Sequence, residues 1–300
     1  MASNHDRKRK PCFVYIYYKT IKSKVKLLAS NPRTRHRVWL REGCGLIDLH
    51  RIWIKNRAVL TTLSVVLASL LMLYTVNSPA IIGAAATTRL LPIYSVDRKD
   101  KVVAISFDAA WGNEDTQTLI DILNDHGVHA TFFLVGDWVV RYPESVAAIA
   151  EAGHEVMNHS SHHDHFSKLR EDQVIADVKA CNDKVEAITG VAPTLIRCPY
   201  GEYDDHVIKA ISSMGMTAIQ WSVDSLDWKG ISAQEITDRV LKSIEPGSIV
   251  LFHNAAEHTP EALPGILDAL QSQGYSIVPI SELLLNGDYT IDHTGKQCPA

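Results

Sequence analysis

KVVAISFD, residues 101–108, is an apolar, β-branched run that stops on a carboxylate. Val, Ile and Phe suit a pleated, buried backbone, and a run this short is a strand rather than a helix. The next stretch has helical spacing over 113–126, with Leu119, Ile122 and Leu123 on one side, Asn113 as the expected N-cap and Gly127 to end it. HATFFLV, residues 129–135, reads as a second strand, and 143–152 as a second helix closed by Gly153. The alternation continues with strand 154–157, helix 170–189, strand 194–196, helix 205–214 and strand 217–221. Helix 232–244, strand 248–252, helix 259–273, strand 276–278 and helix 280–285 complete it. Repeated strand–helix units predict an α/β fold with a parallel sheet and helices outside. The number of units in one modest domain predicts a small or incomplete (β/α) barrel rather than an open sheet.

Upstream the chain changes character. Residues 1–57 carry 15 Lys and Arg against 3 Asp and Glu, a balance of +12, whereas the whole chain of 300 residues is at −4. Residues 58–76 are an uncharged run rich in Leu, Val, Ala and Thr, and no charge follows until Arg89. About 20 apolar residues span a bilayer core, so this length predicts one transmembrane helix. The basic flank orients it: 1–57 is expected in the cytoplasm and everything after Val76 outside, which implies a single-pass cell-membrane protein with its main domain extracytoplasmic. Contact of the basic flank with anionic membrane lipid accounts for its charge, so no nucleic-acid partner is expected. Ala84-Ala85-Ala86 offers an A-x-A cleavage pattern, but the basic leader is much longer than that of an ordinary signal peptide, and an uncleaved anchor is expected. The resulting domain organisation is a basic segment 1–57, an anchor 58–76, a linker 77–99, a domain 100–286 and a C-terminal tail 287–300. Five cysteines without C-x-x-C spacing do not read as a disulfide framework or a zinc ribbon, and leave room for one pair among Cys181, Cys198 and Cys298.

In a β/α barrel, catalytic groups sit just after the strand ends. Asp108 follows the first strand, His159 and His163 the third, Arg197 and Tyr200 the fourth, Asp224 and Asp227 the fifth, and His253 the strand 248–252. Ionisable groups from five separated segments thus converge on one rim. His159 and His163 are four apart, close enough to chelate one divalent ion if the stretch is helical, and imidazole suits Zn, Ni, Co or Fe. Such an ion would polarise an amide carbonyl and lower the pKa of a water towards ~7. Asp108 is placed to take that water's proton, and His253 to protonate the leaving nitrogen, with Asp224 or Asp227 to orient it.

The ordered series Ser106-Phe107-Asp108, His159-Ser160-x-x-His163, Arg197-x-Pro199-Tyr200-Gly201, Asp224-x-x-Asp227-Trp228 and Leu251-x-His253 resembles the NodB-homology polysaccharide deacetylases, carbohydrate esterase family 4. The resemblance implies that family's distorted (β/α) barrel and a metal-dependent hydrolysis of N-acetyl groups on GlcNAc or MurNAc residues of peptidoglycan or a related polysaccharide. It makes Asp108 the general base, held by Arg197, and His159 and His163 the ligands of a divalent metal, zinc first and Co, Ni, Mn or Fe next. His253 is the implied general acid with Asp227 as partner, and the Tyr200 backbone N–H the donor to the oxyanion. Pro199, Trp228 and Leu251 are the implied substrate-binding residues. The sequence departs from the family in one place: Ala109 stands where a second aspartate usually supplies the third metal ligand. The Phe107-Asp108-Ala109-Ala110-Trp111-Gly112 form resembles the family's sporulation and cell-wall branch, which tends to share the loss. Water is the expected substitute ligand, with His162, Asp164 and His165 as alternatives. The alternative to a working enzyme is a catalytically weak or inactive glycan-binding or wall-assembly protein.

Overall fold

The computed structural model describes residues 39–42, 45–76 and 89–300, which fall into two compact units dividing between Ala86 and Thr87. Most of the basic segment, the candidate cleavage site and much of the expected linker lie outside the described residues.

The first unit contains strands β1 (Trp39–Glu42) and β2 (Gly45–Asp48), paired antiparallel, and one helix, Leu49–Val76, of 28 residues. The side chains described on that helix are residues 59 and 61–74, with Val59, Leu63, Leu67, Leu71 and Tyr74 among its exposed apolar groups. Among the described residues no helix is long and apolar enough to cross a membrane. The ends of the expected span fall on side chains outside that set.

The second unit is built on a parallel sheet in the order β8-β7-β6-β5-β4-β10-β9, with β11 added beside β4. Its strands are β4 (Val102–Ala109), β5 (Thr131–Leu134), β6 (Glu155–Asn158), β7 (Leu195–Ile196), β8 (Thr217–Ala218), β9 (Val223–Asp224), β10 (Ile249–His253) and β11 (Ser276–Ile277). The two strands at opposite ends of this order, β8 and β9, are separated in the chain by residues 219–222 alone. A sheet whose first and last strands are joined by so short a link must curl round on itself. Ile93 bridges to Ile219, and Ser95 bridges to Ser248, so residues 93–95 occupy the seam. The result is a distorted, incompletely closed barrel.

The alternation of β4 decides what faces where. Phe107 points to the helices, where it stacks on Phe132 of β5 (centroids 4.8 Å) and Phe252 of β10 (5.6 Å). Each such pair adds about 0.5–1.5 kcal/mol beyond simple burial. Its neighbours Ser106 and Asp108 therefore point into the barrel, in register with Leu251 and His253 of β10. Helices 116–125, 143–151, 171–189, 205–213, 233–243 and 259–272 cover the outside within a residue or three of the expected bounds. Asn113 is not the N-cap of its helix. The helix starts at Thr116, and the Asn113 amide donates to Ser145 Oγ instead (2.9 Å). A short helix, Gly136–Arg141, precedes Pro143 without having been expected. The C-terminal residues form a hairpin, β12 (Tyr289–Ile291) with β13 (Lys296–Pro299), and β13 pairs parallel to β3 (Ser95–Val96).

Candidate active site

Among the described residues, five that are not glycine have φ in the left-handed region: Ser160 (69°), His163 (58°), Tyr200 (59°), Leu226 (57°) and Ala255 (53°). All five lie on segments that leave the C-terminal ends of β6, β7, β9 and β10. Such conformations cost about 1–3 kcal/mol each and persist where the surroundings over-determine them, as at functional sites.

The histidine pair shows how. His159 and His163 do not share a helix turn. Asn158, buried at the end of β6, accepts the Ser160 N–H (2.7 Å), and Ser160 Oγ accepts the His163 N–H (2.7 Å). The reversed chain brings the two rings to a centroid distance of 5.0 Å. His159 Nδ1 lies 2.7 Å from the Arg197 carbonyl, which only accepts, so the proton sits on Nδ1 and the Nε2 lone pair faces the cavity. Burial lowers His159 and takes His163 down to about 4, so both imidazoles are neutral donors at neutral pH.

Asp108 is 5% exposed. Arg197, fully buried, donates from Nη1 to its Oδ1 (2.7 Å) and from Nη2 to Ser106 Oγ (2.9 Å) and the Gln220 carbonyl (3.2 Å). The guanidinium also lies 4.2 Å from the Phe133 ring centre. Burial pushes the Asp108 carboxyl up, but Arg197, His159 and His253 outweigh it and hold it below the ordinary carboxylate value. Across the strand pair, His253 Nδ1 meets Asp227 Oδ1 at 2.8 Å. Burial lowers His253, but the Asp227 bond and the Asp108 and Asp227 charges override it, so the imidazole ends above its ordinary value. The choice between Asp224 and Asp227 is thereby made. Asp224 instead accepts the Leu226 N–H (2.9 Å), in the turn whose left-handed Leu226 swings Asp227 back to His253.

Asp108, His159, His163, Tyr200, Trp228, Leu251 and His253 converge on one cavity of about 460 Å³. Pro199 is buried in the turn that sets up Tyr200 and is not among the lining residues. The Tyr200 ring lies between two histidines, stacked on His165 (4.2 Å, 15°) and edge-on to His163 (4.5 Å). Sequence reasoning gave no role to Trp111, Trp221, Ser106, Asn254 or Thr259. Ser106 was accessible through its same-face alternation with Asp108, whereas the bond from Thr259, at the start of an expected helix, to Asp227 joins segments 32 residues apart and leaves no local pattern.

A metal ion would find His159 Nε2 and the His163 ring together, with Asp108 Oδ2 3.5 Å from His159 Nε2. Among the described residues, no group of three or more His, Cys, Asp or Glu side chains is arranged to hold a metal. Of the alternative ligands, His162 pairs through Nδ1 with Asp137 (2.9 Å) and His165 through Nδ1 with Glu202 (2.9 Å), and none of His162, Asp164 and His165 lines the cavity. Ala109 is buried in the outer core and does not line the cavity. The donors therefore fit a two-imidazole site for a borderline metal, with its other positions unfilled by protein.

Comparison with known proteins points the same way. Residues 95–219 match the family described as polysaccharide deacetylase. The peptidoglycan-N-acetylglucosamine deacetylase of Bacillus cereus is 35% identical over 60% of this chain and 67% of its own length. The peptidoglycan-N-acetylmuramic acid deacetylase PdaA of Bacillus subtilis is 32% identical over 64% of this chain and 74% of its own. Other curated relatives are longer than the stretch matched, this chain spanning 60% of one from Bacillus subtilis and 40% of another. Among solved structures, a carbohydrate esterase family 4 pseudoenzyme from Bacillus anthracis is 36% identical with a TM-score of 0.62, covering 64% of this chain and 68% of that one. A mutant of it is described as having restored enzymatic activity. Motif order, curled parallel sheet and relatives agree, and the chain belongs to the NodB-homology polysaccharide deacetylases, carbohydrate esterase family 4.

Proposed function

We propose that this chain hydrolyses N-acetyl groups on GlcNAc or MurNAc residues of peptidoglycan or a related polysaccharide, releasing acetate. One observation carries the reading: an ionised carboxylate, Asp108, and a histidine with a raised pKa, His253, stand in register on adjacent parallel strands at one cavity. Amide hydrolysis needs that pair, one group to take a proton from water and one to give a proton to the leaving nitrogen. Asp108 Oδ2 accepts the proton of the attacking water while Arg197 holds Oδ1. The Tyr200 backbone N–H donates to the developing oxyanion, a contact worth about 2.7–4 kcal/mol. His253, its Nδ1 engaged by Asp227, delivers a proton from Nε2 to the sugar nitrogen. Leu251 and Trp228 form the apolar wall for the acetyl methyl. A divalent ion on His159 and His163, zinc first and Co, Ni, Mn or Fe next, would polarise the acetamide carbonyl and acidify the water.

The Phe107–Gly112 form supports membership of the sporulation and cell-wall branch. The proposed setting is extracytoplasmic, on a membrane anchor at 58–76, supported by the uncharged run and its basic flank. Protease added to intact cells should then remove the domain and spare residues 1–57. The test of activity is acetate release by the purified chain from peptidoglycan and chitooligosaccharides, with each metal supplied in turn. No acetate with any of them would overturn the reading.

Ala109 and the similarity to the Bacillus anthracis pseudoenzyme favour a second reading, a catalytically silent glycan-binding protein. An Asp108→Asn variant separates the two, since a binder keeps its cellular function and an enzyme loses it.

A further inference from the structure

Where the chain leaves β10, three successive backbone N–H groups each end on an aspartate. His253 N–H donates to Asp227 Oδ2 (2.7 Å), Asn254 N–H to the Asp108 carbonyl (3.1 Å) and Ala255 N–H to Asp115 Oδ2 (2.9 Å). The first two acceptors belong to the partner of the acid and to the base. Asp115 is neither, and it lies outside the residues that line the catalytic cavity.

Unfavourable local features meet at this third contact. Asp115 occupies the N-cap position of helix 116–125, where an aspartate oxygen ordinarily accepts an N–H of the first turn, yet its side chain makes no such bond. Both its oxygens turn instead to the Ala255 N–H, at 2.9 and 3.0 Å. Ala255 in turn holds φ at 53°, a conformation that alanine keeps only where its surroundings impose it. Burial pushes the Asp115 carboxyl above its ordinary value, while the Ala255 N–H pulls it back. A forgone cap, a desolvated carboxylate and a left-handed alanine thus converge on one hydrogen bond between residues 140 apart in the chain.

That bond decides where the chain goes after His253. Asn254, buried between the two loops, accepts the Ala110 N–H at Oδ1 (3.3 Å) and donates its amide to the Gly112 carbonyl. The same carbonyl accepts from Trp138 Nε1 (2.9 Å). Residues 110–115, which follow the base, are thereby laced to residues 253–255, which carry and follow the imidazole. Opening the Ala255 turn would release Asn254 and the His253 backbone together, and the ring would slip out of line with Asp227 and Asp108.

We propose that Asp115 is a positioning residue for the acid–base pair: its carboxylate clamps the left-handed Ala255 turn and so sets the His253 ring in its place across from Asp108. Asp115 acts through Ala255 and not on the reacting atoms. The inference rests on the deacetylase reading for what the pair does, and on backbone geometry for where the ring sits.

The test uses the full-length chain in detergent, with isotope-labelled histidine. It reads acetate release from chitohexaose beside the Nδ1–H resonance that marks the His253–Asp227 bond, assigned by its loss in His253→Gln. Asp115→Ala should lower kcat about tenfold, with KM within about threefold of wild type, and should shift or broaden that resonance. Asp115→Asn, which keeps an oxygen for the Ala255 N–H, should recover most of both. Ala255→Gly in the Asp115→Ala background should raise kcat again by about threefold or more, because glycine holds the left-handed turn without strain. That double variant also serves if Asp115→Ala alone fails to fold. An unmoved resonance in Asp115→Ala would overturn the positioning role. So would an equal loss in Asp115→Ala and Asp115→Asn with no return in the double variant. A resonance that moves and returns as expected, with no acetate from any of the proteins, would sink the deacetylase reading and leave the positioning role standing.

Discussion

Asp227 grips His253 at two points, its Oδ1 on the imidazole Nδ1 at 2.8 Å and its Oδ2 on the His253 backbone N–H at 2.7 Å. The Trp228 N–H (2.8 Å) and Thr259 Oγ1 (2.8 Å) complete the shell of this buried carboxylate. Ring position and ring tautomer are thus set by one side chain, which leaves Nε2 to meet the substrate. Asp227→Asn should lower kcat for acetate release by about 10²–10⁴, the usual worth of a general acid, with little change in KM. A kcat within threefold of wild type would show that His253 does not depend on Asp227 for its acid role.

The pH profile follows from the same pair. His253 is raised in the folded chain, so its acid form is full below the ordinary imidazole value of about 6.5 and drains as pH climbs through the raised one. Asp108 is lowered, so its base form is present down to pH values below the ordinary carboxylate range. The rate should be flat in between and fall on the alkaline side. Stability from the His253 pair runs in the same direction, present at low pH and lost as pH rises through the folded value. In Asp227→Asn the alkaline limb should move to lower pH, and an unmoved limb would assign it to another group.

Arg197→Met leaves Asp108 buried without its cation. Breaking a buried pair by removing one partner costs about 3–5 kcal/mol, which a denaturant midpoint would show directly. The Asp108 carboxyl should rise, carrying the acid limb of the rate profile upward. Arg197→Lys should not rescue, because one ammonium cannot serve Asp108, Ser106 and the Gln220 carbonyl in that fork.

Most of the order of strands and helices was readable in the chain, because β4 and β10 are short runs rich in Val and Ile and Gly127, Gly153 and Gly190 end their helices in the left-handed region. The single strand expected over 217–221, however, is β8 followed by a separate β9 at the other end of the sheet order. The rim was readable because barrel chemistry collects at strand ends. Several features were not readable. Spacing alone let His159 and His163 share an ion only if 159–163 were helical, whereas left-handed Ser160 and His163 bring the rings together through a loop. Asp224 and Asp227 are equivalent by position, and only the Leu226 turn separates them. The hairpin 289–299 has no apolar alternation to announce it, since it pairs with β3 largely through its backbone. Trp111 sits in a motif that names it without showing which way it faces.

Gly247 sits at φ +81°, where an added Cβ would run into the Val96 carbonyl oxygen. Its carbonyl accepts the Val96 N–H (2.9 Å) and its N–H donates to the Val102 carbonyl (2.7 Å), so the seam strand depends on this approach. Gly247→Ala should cost at least about 1–3 kcal/mol of stability. The denaturant midpoint checks it, and an unshifted midpoint would show that the seam yields.

Elemental analysis and titration test the imidazole pair. Wild type should take up one divalent ion per chain and surrender it to a chelator, while His159→Ala/His163→Ala takes up none. Equal uptake by both would place the metal elsewhere.

The most direct measurement is acetate release from chitohexaose by metal-supplemented wild type against Asp108→Asn at neutral pH. The account predicts steady turnover by wild type and a loss of two orders of magnitude or more in the variant, with hexasaccharide binding retained in both. Binding without acetate from either protein would contradict it and leave a glycan-binding cleft on a deacetylase fold.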